Sequence, residues 1–149
     1  MKIFVDADSC PKLARDLVLR RSLKMGVRII FAANHSIPES EGAEMEICPA
    51  TENSADDRIV ELSERGDIAI TRDVPLAKRL VDKGVYIIDD RGRVFTENNI
   101  NELLSLRNFA VGLADNGLEI HRIANYSKKD LKTFADSLDR LITKIFKNN

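Results

Sequence analysis

Four short apolar runs set the rhythm of the chain: residues 3–5, 27–32, 68–71 and 85–88 are largely continuous stretches of Ile, Val, Phe and Ala rather than alternating ones. A strand with one wet face alternates, whereas a strand covered on both faces does not, so these runs predict strands sandwiched between layers of helices. Helical spacing fills the intervals. Leu13, Leu17 and Val18 follow Pro11, which suits a first helical turn; Ala55, Ile59 and Leu62 mark a second inner face, and Leu76, Ala77, Leu80 and Val81 a third. Gly26, Gly66 and Gly84 each precede an apolar run. Glycine just past a helix end adopts the left-handed conformation that turns the chain into the next strand. Helical crossovers join parallel strands, so the pattern predicts a doubly wound α/β sheet.

The remaining segments are shorter or polar. Residues 45–48 read as a strand at or near an edge, where the following Pro49 does little damage, and residues 34–42 as a loop. Arg91-Gly92 is a turn into a brief Val94-Phe95 strand; Ile100, Leu103 and Leu104 then take helical spacing, and residues 112–125 form a loop. A long closing helix is announced by Ser127 and Asp130, spaced as a capping box, and by the stripe Leu131, Phe134, Ala135, Leu138, Leu141, Ile142 and Ile145. That stripe is expected to pack on the domain, with a homodimer contact as the alternative, so monomer and homodimer are both compatible with the sequence. With no internal repeat or linker, residues 1–149 are expected to form a single domain.

Composition narrows the function classes. A net charge of -1 excludes the global positive field of a strongly basic nucleic-acid binder. No stretch approaches the roughly 20 apolar residues of a membrane span, and the first residues lack the pattern of a signal peptide, so a cytoplasmic protein without membrane contact is expected. Cys10 and Cys48 lack any spacing suited to zinc or redox work and are expected to be reduced packing residues.

The acids carry more information. Asp6 and Asp8 follow the first apolar run, Asp73 the run at 68–71, Asp89 and Asp90 the run at 85–88, while Asp56 and Asp57 open a helical stretch. In a parallel sheet all those strand ends share one edge, where such folds bind ligands. Asp6 and Asp8, two residues apart in an extended chain, are expected to project to the same side, and Asp8 also suits a capping role for the helix that begins at Pro11. Two carboxylates about 4 Å apart repel by roughly 4 kcal/mol at an effective dielectric near 20. Protons, arginines, lysines or a divalent cation relieve that repulsion. An all-oxygen donor set with no repeated His or Cys spacing favours Mg²⁺ or Mn²⁺ over zinc, and a carboxylate-held cation of this kind suits phosphodiester hydrolysis. Capping and solvated strand ends are the competing explanation, above all for Asp57, Asp89 and Asp90.

Longer motifs sharpen the picture. Ile3-Phe4-Val5-Asp6-Ala7-Asp8-Ser9-Cys10-Pro11, Ser54-Ala55-Asp56, the run from Gly66 through Thr71-Arg72-Asp73-Val74-Pro75 to Ala77, Arg91-Gly92, Thr96-Glu97-Asn98-Asn99-Ile100 and Leu106-Arg107-Asn108-Phe109 together resemble the YaiI/YqxD family of uncharacterised bacterial proteins. That family resembles a branch of the PIN-like nucleases. The likeness implies a PIN-like, mainly parallel sheet of order 3-2-1-4-5 with a Mg²⁺ or Mn²⁺ site, in which Asp6, Asp56 and Asp73 are the catalytic metal ligands. Asp8, from the family's own Asp-x-Asp motif, is a further ligand or water-orienting acid. Asp56 stands where many PIN domains carry Glu, and Asp89 or Asp90 matches the final acid only loosely. Asn34 and His35 beyond the second strand, Asp57, Asp89 and Arg91 are candidates to touch substrate or the metal's water shell, while His121 has no assigned role.

Three functions follow. The leading expectation is a metal-dependent nuclease or phosphodiesterase acting on RNA. A haloacid-dehalogenase-like phosphatase would use Asp6 and Asp8 as nucleophile and acid, but its downstream Gly-Asp-x-x-x-Asp is absent because Thr71 stands four residues after Asp67. A non-catalytic metal or nucleic-acid binding module is the third.

Overall fold

The computed structural model describes residues 1–38, 41–51, 53–115 and 125–147; His121 and much of the expected 112–125 loop lie outside them. Among the described residues, strands β1 (Lys2–Asp6), β2 (Arg28–Ala33), β3 (Glu44–Ile47), β4 (Ile68–Ile70), β5 (Tyr86–Ile88) and β6 (Val94–Phe95) alternate with helices α1 (Lys12–Met25), α2 (Ser54–Leu62) and α3 (Val74–Lys83). Helices α4 (Ile100–Asp115) and α5 (Lys128–Lys147) follow. The sheet order is β3-β2-β1-β4-β5-β6. All neighbours are parallel except β6, which returns antiparallel beside β5 with Ile87 opposite Phe95.

Strand periodicity explains why the apolar runs are continuous. Ile3, Val5, Ile29, Phe31, Ile68, Ile70 and Ile88 join one core with residues of α1 and α5, while Phe4, Ile30, Ala32, Ala69 and Ile87 join a second with residues of α2, α3 and the start of α4. Successive side chains point to opposite faces, so a strand buried on both sides needs an apolar residue at every position. The capping box of α5 forms as expected: the Ser127 amide donates to Asp130 Oδ2 at 2.9 Å, and the Asp130 amide donates to Ser127 Oγ at 3.1 Å. Its stripe is buried within the domain through Phe134, Leu138, Leu141, Ile142 and Ile145.

Some local expectations change. Gly26 and Gly84 end helices in the left-handed conformation, but α2 stops at Leu62, and Gly66 lies in a separate turn. Leu13 is exposed, and Ala14, Leu17 and Val18 form the inner face of α1 instead. No side chain caps α1, so Asp8 does not play the capping role its position suggests. On α4, Ile100 is buried whereas Leu106, Phe109 and Val111 are exposed. No helix among the described residues is long and apolar enough to cross a membrane.

Phe134, fully buried, anchors α5 to the sheet. Phe134→Ala is expected to destabilise the domain by about 3–5 kcal/mol, through lost apolar transfer and the residual cavity. Urea unfolding should show a lower midpoint with an unchanged slope.

Candidate functional site

The order of the strands places a crevice before any side chain is considered. From β1 the chain builds outward through β2 to β3, then returns to lay β4 on the other side of β1. Beyond the carboxyl ends of β1 and β4 the crossovers diverge, and an open sheet binds ligands at such a point. Asp6 ends β1; Thr71 and Asp73 follow β4; Asp56 comes from the first turn of α2.

Hydrogen bonds fix two of these acids. Asp6 is only 8% exposed, and its Oδ2 accepts from Thr71 Oγ1 at 2.9 Å and Ser9 Oγ at 3.0 Å. Thr71 Oγ1 in turn accepts from the Asp73 amide at 3.0 Å. Asp73 caps α3, its Oδ1 accepting from the Leu76 amide at 3.0 Å. One hydroxyl therefore couples the acid of β1 to the acid at the start of α3.

Asp56 completes the arrangement from the other chain direction. Burial pushes its carboxyl up to about 7, helped by the negative charges of Asp73 and Asp6 and by a hydrogen bond with Asp73, and opposed by Arg79. Asp6 is also raised, first by burial, against the hydroxyls of Thr71 and Ser9, with the charges of Asp73 and Asp8 adding to the effect. The Asp56 carboxyl thus keeps its proton toward neutrality, as a buried carboxyl beside like charges does. A cleft of about 290 Å³ holds Asp56 and Asp73, lined also by Asn53, Pro75, Leu76, Arg79 and Arg107.

The other expected residues separate. β1 ends at Asp6 and the chain turns at once; Asp8 Oδ2 accepts from the Asn34 amide at 2.9 Å and its Oδ1 lies 3.4 Å from His35 Nδ1. Asn34 and His35 therefore gather around Asp8, beyond the end of β2. Asp57 points to Arg79 on α3, 2.8 Å away at the surface. Asp90 is buried against Arg72, and Asp89 Oδ1 accepts from the amides of Arg91 and Arg93, each at 2.9 Å. Burial raises the Asp89 carboxyl, against those two backbone donors. Among the described residues, no three His, Cys, Asp or Glu side chains converge closely enough to hold one metal ion as they stand.

Ser9, Thr71, Arg79 and Arg107 are site residues that sequence reasoning missed. Thr71 carried a usable signal, a hydroxyl at the end of an apolar run two residues before an acid. Arg107 stood in the Leu106-Arg107-Asn108-Phe109 motif, but only the packing of α4 brings it to the cleft. Burial pushes the Cys10 thiol up to about 12, which suits a packing residue and not a nucleophile.

The raised Asp56 carboxyl has a thermodynamic consequence. Asp56 is raised from 3.8 to about 7, so between those values the folded chain keeps a proton that the unfolded chain has released. Stability from this site is present at low pH and is lost as pH rises through that window. Asp73→Asn keeps a capping side chain while removing the facing charge. The variant should lose less stability than the wild type between about pH 4 and pH 7, as read from urea midpoints; the residual decline belongs to Asp56 itself, still raised by burial, and to Asp6 and Asp89, whose shifts have the same sign.

Comparison with known proteins places this geometry in a family. The profile described as the uncharacterized YaiI/YqxD family matches residues 4–144. A UPF0178 protein of Treponema denticola is 48% identical over 147 residues, covering 99% of this chain and 95% of the relative. One from Myxococcus xanthus is 42% identical over 149 residues, covering 99% and 97%, and one from Ectopseudomonas mendocina is 40% identical over 147 residues, covering 97% and 99%. Matched by the family profile over residues 4–144 and by these relatives over nearly its whole length, the chain belongs to the YaiI/YqxD family.

Proposed function

We propose that the protein is a Mg²⁺- or Mn²⁺-dependent phosphodiesterase of the PIN-like kind that cleaves RNA. The observation that carries this reading is the Asp56–Asp73 pair, two carboxylates held face to face in a cleft at the β1/β4 divergence with Asp6 behind them. Facing acids are costly to ionise together, and a divalent cation replaces the proton that otherwise relieves them.

The donor set fits such a cation. Mg²⁺ is commonly held by one or two carboxylates and keeps several waters, so Asp56 and Asp73 would hold it directly and Asp6 and Asp8 through its water shell. When bound, the cation lowers the pKa of a water and neutralises charge on phosphate oxygens. The chain's own groups do the positioning. Thr71 and Ser9 orient Asp6, the Leu76 amide orients Asp73, and Arg79 and Arg107 bring positive charge to the cleft that a phosphodiester would enter. The phosphatase alternative gains no support, because Asp6 is almost fully buried with Oδ2 engaged by two hydroxyls. A cytoplasmic location agrees with the reading, since RNA and reduced thiols such as those of Cys10 and Cys48 belong there.

Thermal unfolding with and without Mn²⁺ or Mg²⁺ tests the site without contaminating nucleases. At a hundred times the dissociation constant, metal should stabilise the wild type by about 2.7 kcal/mol. The gain should shrink in Asp73→Asn, and it should grow from about pH 5 to pH 8 as the Asp56 proton is displaced. Cleavage of a labelled RNA should need the metal and be lost in Asp73→Asn; undiminished cleavage by that variant would refute the assignment.

A further inference from the structure

We propose that a second, basic cleft, built from Arg72, Arg91 and Arg93, binds a phosphate group of the same polynucleotide. The inference rests on the reading of the neighbouring acids as a phosphodiester site, and it names where the strand is gripped. This cleft encloses about 520 Å³ and is lined by Arg72, Asp89, Asp90, Arg91, Gly92 and Arg93. Arg72 and Asp73 are consecutive, and one lines each cleft, so the acidic and basic sites meet across a single peptide.

Three arginines face two aspartates in the lining of the cleft. Asp90, 3% exposed, is engaged by Arg72, and Asp89 is engaged by backbone amides. Arg91 lies 3.7 Å from Asp130 and its guanidinium 5.9 Å from the Tyr126 ring. Arg93 is exposed and forms no salt bridge among the described residues, and the buried Nε of Arg72 has no hydrogen-bond partner among them. Guanidinium groups match phosphate with paired donors in a fixed plane, which is why arginine dominates phosphate recognition.

The turn that carries two of these arginines is rigid. The Asp89 amide donates to the Arg93 carbonyl at 2.9 Å, Ser137 Oγ donates to the Gly92 carbonyl at 2.6 Å, and Tyr126 Oη donates to the Asp90 carbonyl at 2.6 Å. Gly92 has φ +91°, and a Cβ there would lie 3.0 Å from the Thr133 carbonyl oxygen. Glycine is thus required for two reasons at once, and α5 clamps the turn that presents Arg91 and Arg93. A binding group held on a preorganised support loses little entropy when its ligand arrives.

The test is fluorescence anisotropy of a short 3′-labelled single-stranded RNA, with and without a 5′-phosphate, in EDTA at low salt. Leaving out divalent metal separates failure of this cleft from failure of the carboxylate site. Arg93→Ala, an exposed change that leaves the fold intact, should weaken binding about tenfold, equivalent to 1.4 kcal/mol. It should also flatten the salt dependence by about 0.7 in the log–log slope. Lys24→Ala, an exposed positive charge in the last turn of α1, should do neither. Equal weakening on both RNAs identifies an internal backbone phosphate, and weakening confined to the phosphorylated RNA identifies a strand end; either supports the proposal. Wild-type affinity in an Arg91→Ala, Arg93→Ala double variant, or no binding by the wild type, would overturn it.

Discussion

The hydroxyl of Thr71 joins the two halves of the sheet at the place where they part. It donates to the buried Asp6 carboxylate at the end of β1 and accepts from the Asp73 amide at the start of α3. A carboxylate removed from water costs heavily unless its oxygens are satisfied, so Asp6 can sit at the sheet edge only because Thr71 and Ser9 supply donors. The same bond sets the distance between the β1 acid and the α3 cap. Everything proposed for the site inherits that spacing.

The two edges of the sheet treat buried acid in opposite ways. At the edge where β1 begins, Asp67 accepts from the amides of Lys2 and Glu64 and lies 3.1 Å from the Lys2 ammonium. That carboxylate is neutralised and tied, as a structural acid is. At the other edge Asp56 faces Asp73, and burial with a like charge raises it to about 7. A buried acid in a cleft that faces a like charge is a candidate functional group. The contrast within one domain separates the Asp56–Asp73 pair from acids that merely hold the fold, including Asp57 with Arg79 and Asp90 with Arg72.

Helix α5 acts at a distance from the acids. Its apolar face covers one side of the sheet through Phe134 and Leu138, and its polar side reaches Gly92 through Ser137. Packing and turn geometry are therefore linked, so that the arginines beside the β5 end are carried by the same helix that completes the core. The notion of the closing helix as a plain hydrophobic cover misses this second role.

Much of the architecture was legible in the chain itself. Continuous apolar runs at Ile68-Ala69-Ile70 and at Tyr86-Ile87-Ile88 encode burial on both faces, and the acids that follow them encode a polar sheet edge, because strand periodicity and strand ends are local properties. The capping box at Ser127 and Asp130 was equally local. Which acids meet was not. Asp8 binds the Asn34 amide, Asp57 finds Arg79, and Arg107 arrives at the acidic cleft from a helix far along the chain. Side-chain direction after a strand ends and the docking of helices across the sheet decide those pairings, and neither leaves a periodic trace in the order of residues. The sequence by itself determined the layers and the edge at which the acids stand; only the tertiary structure decided which of them share a charge.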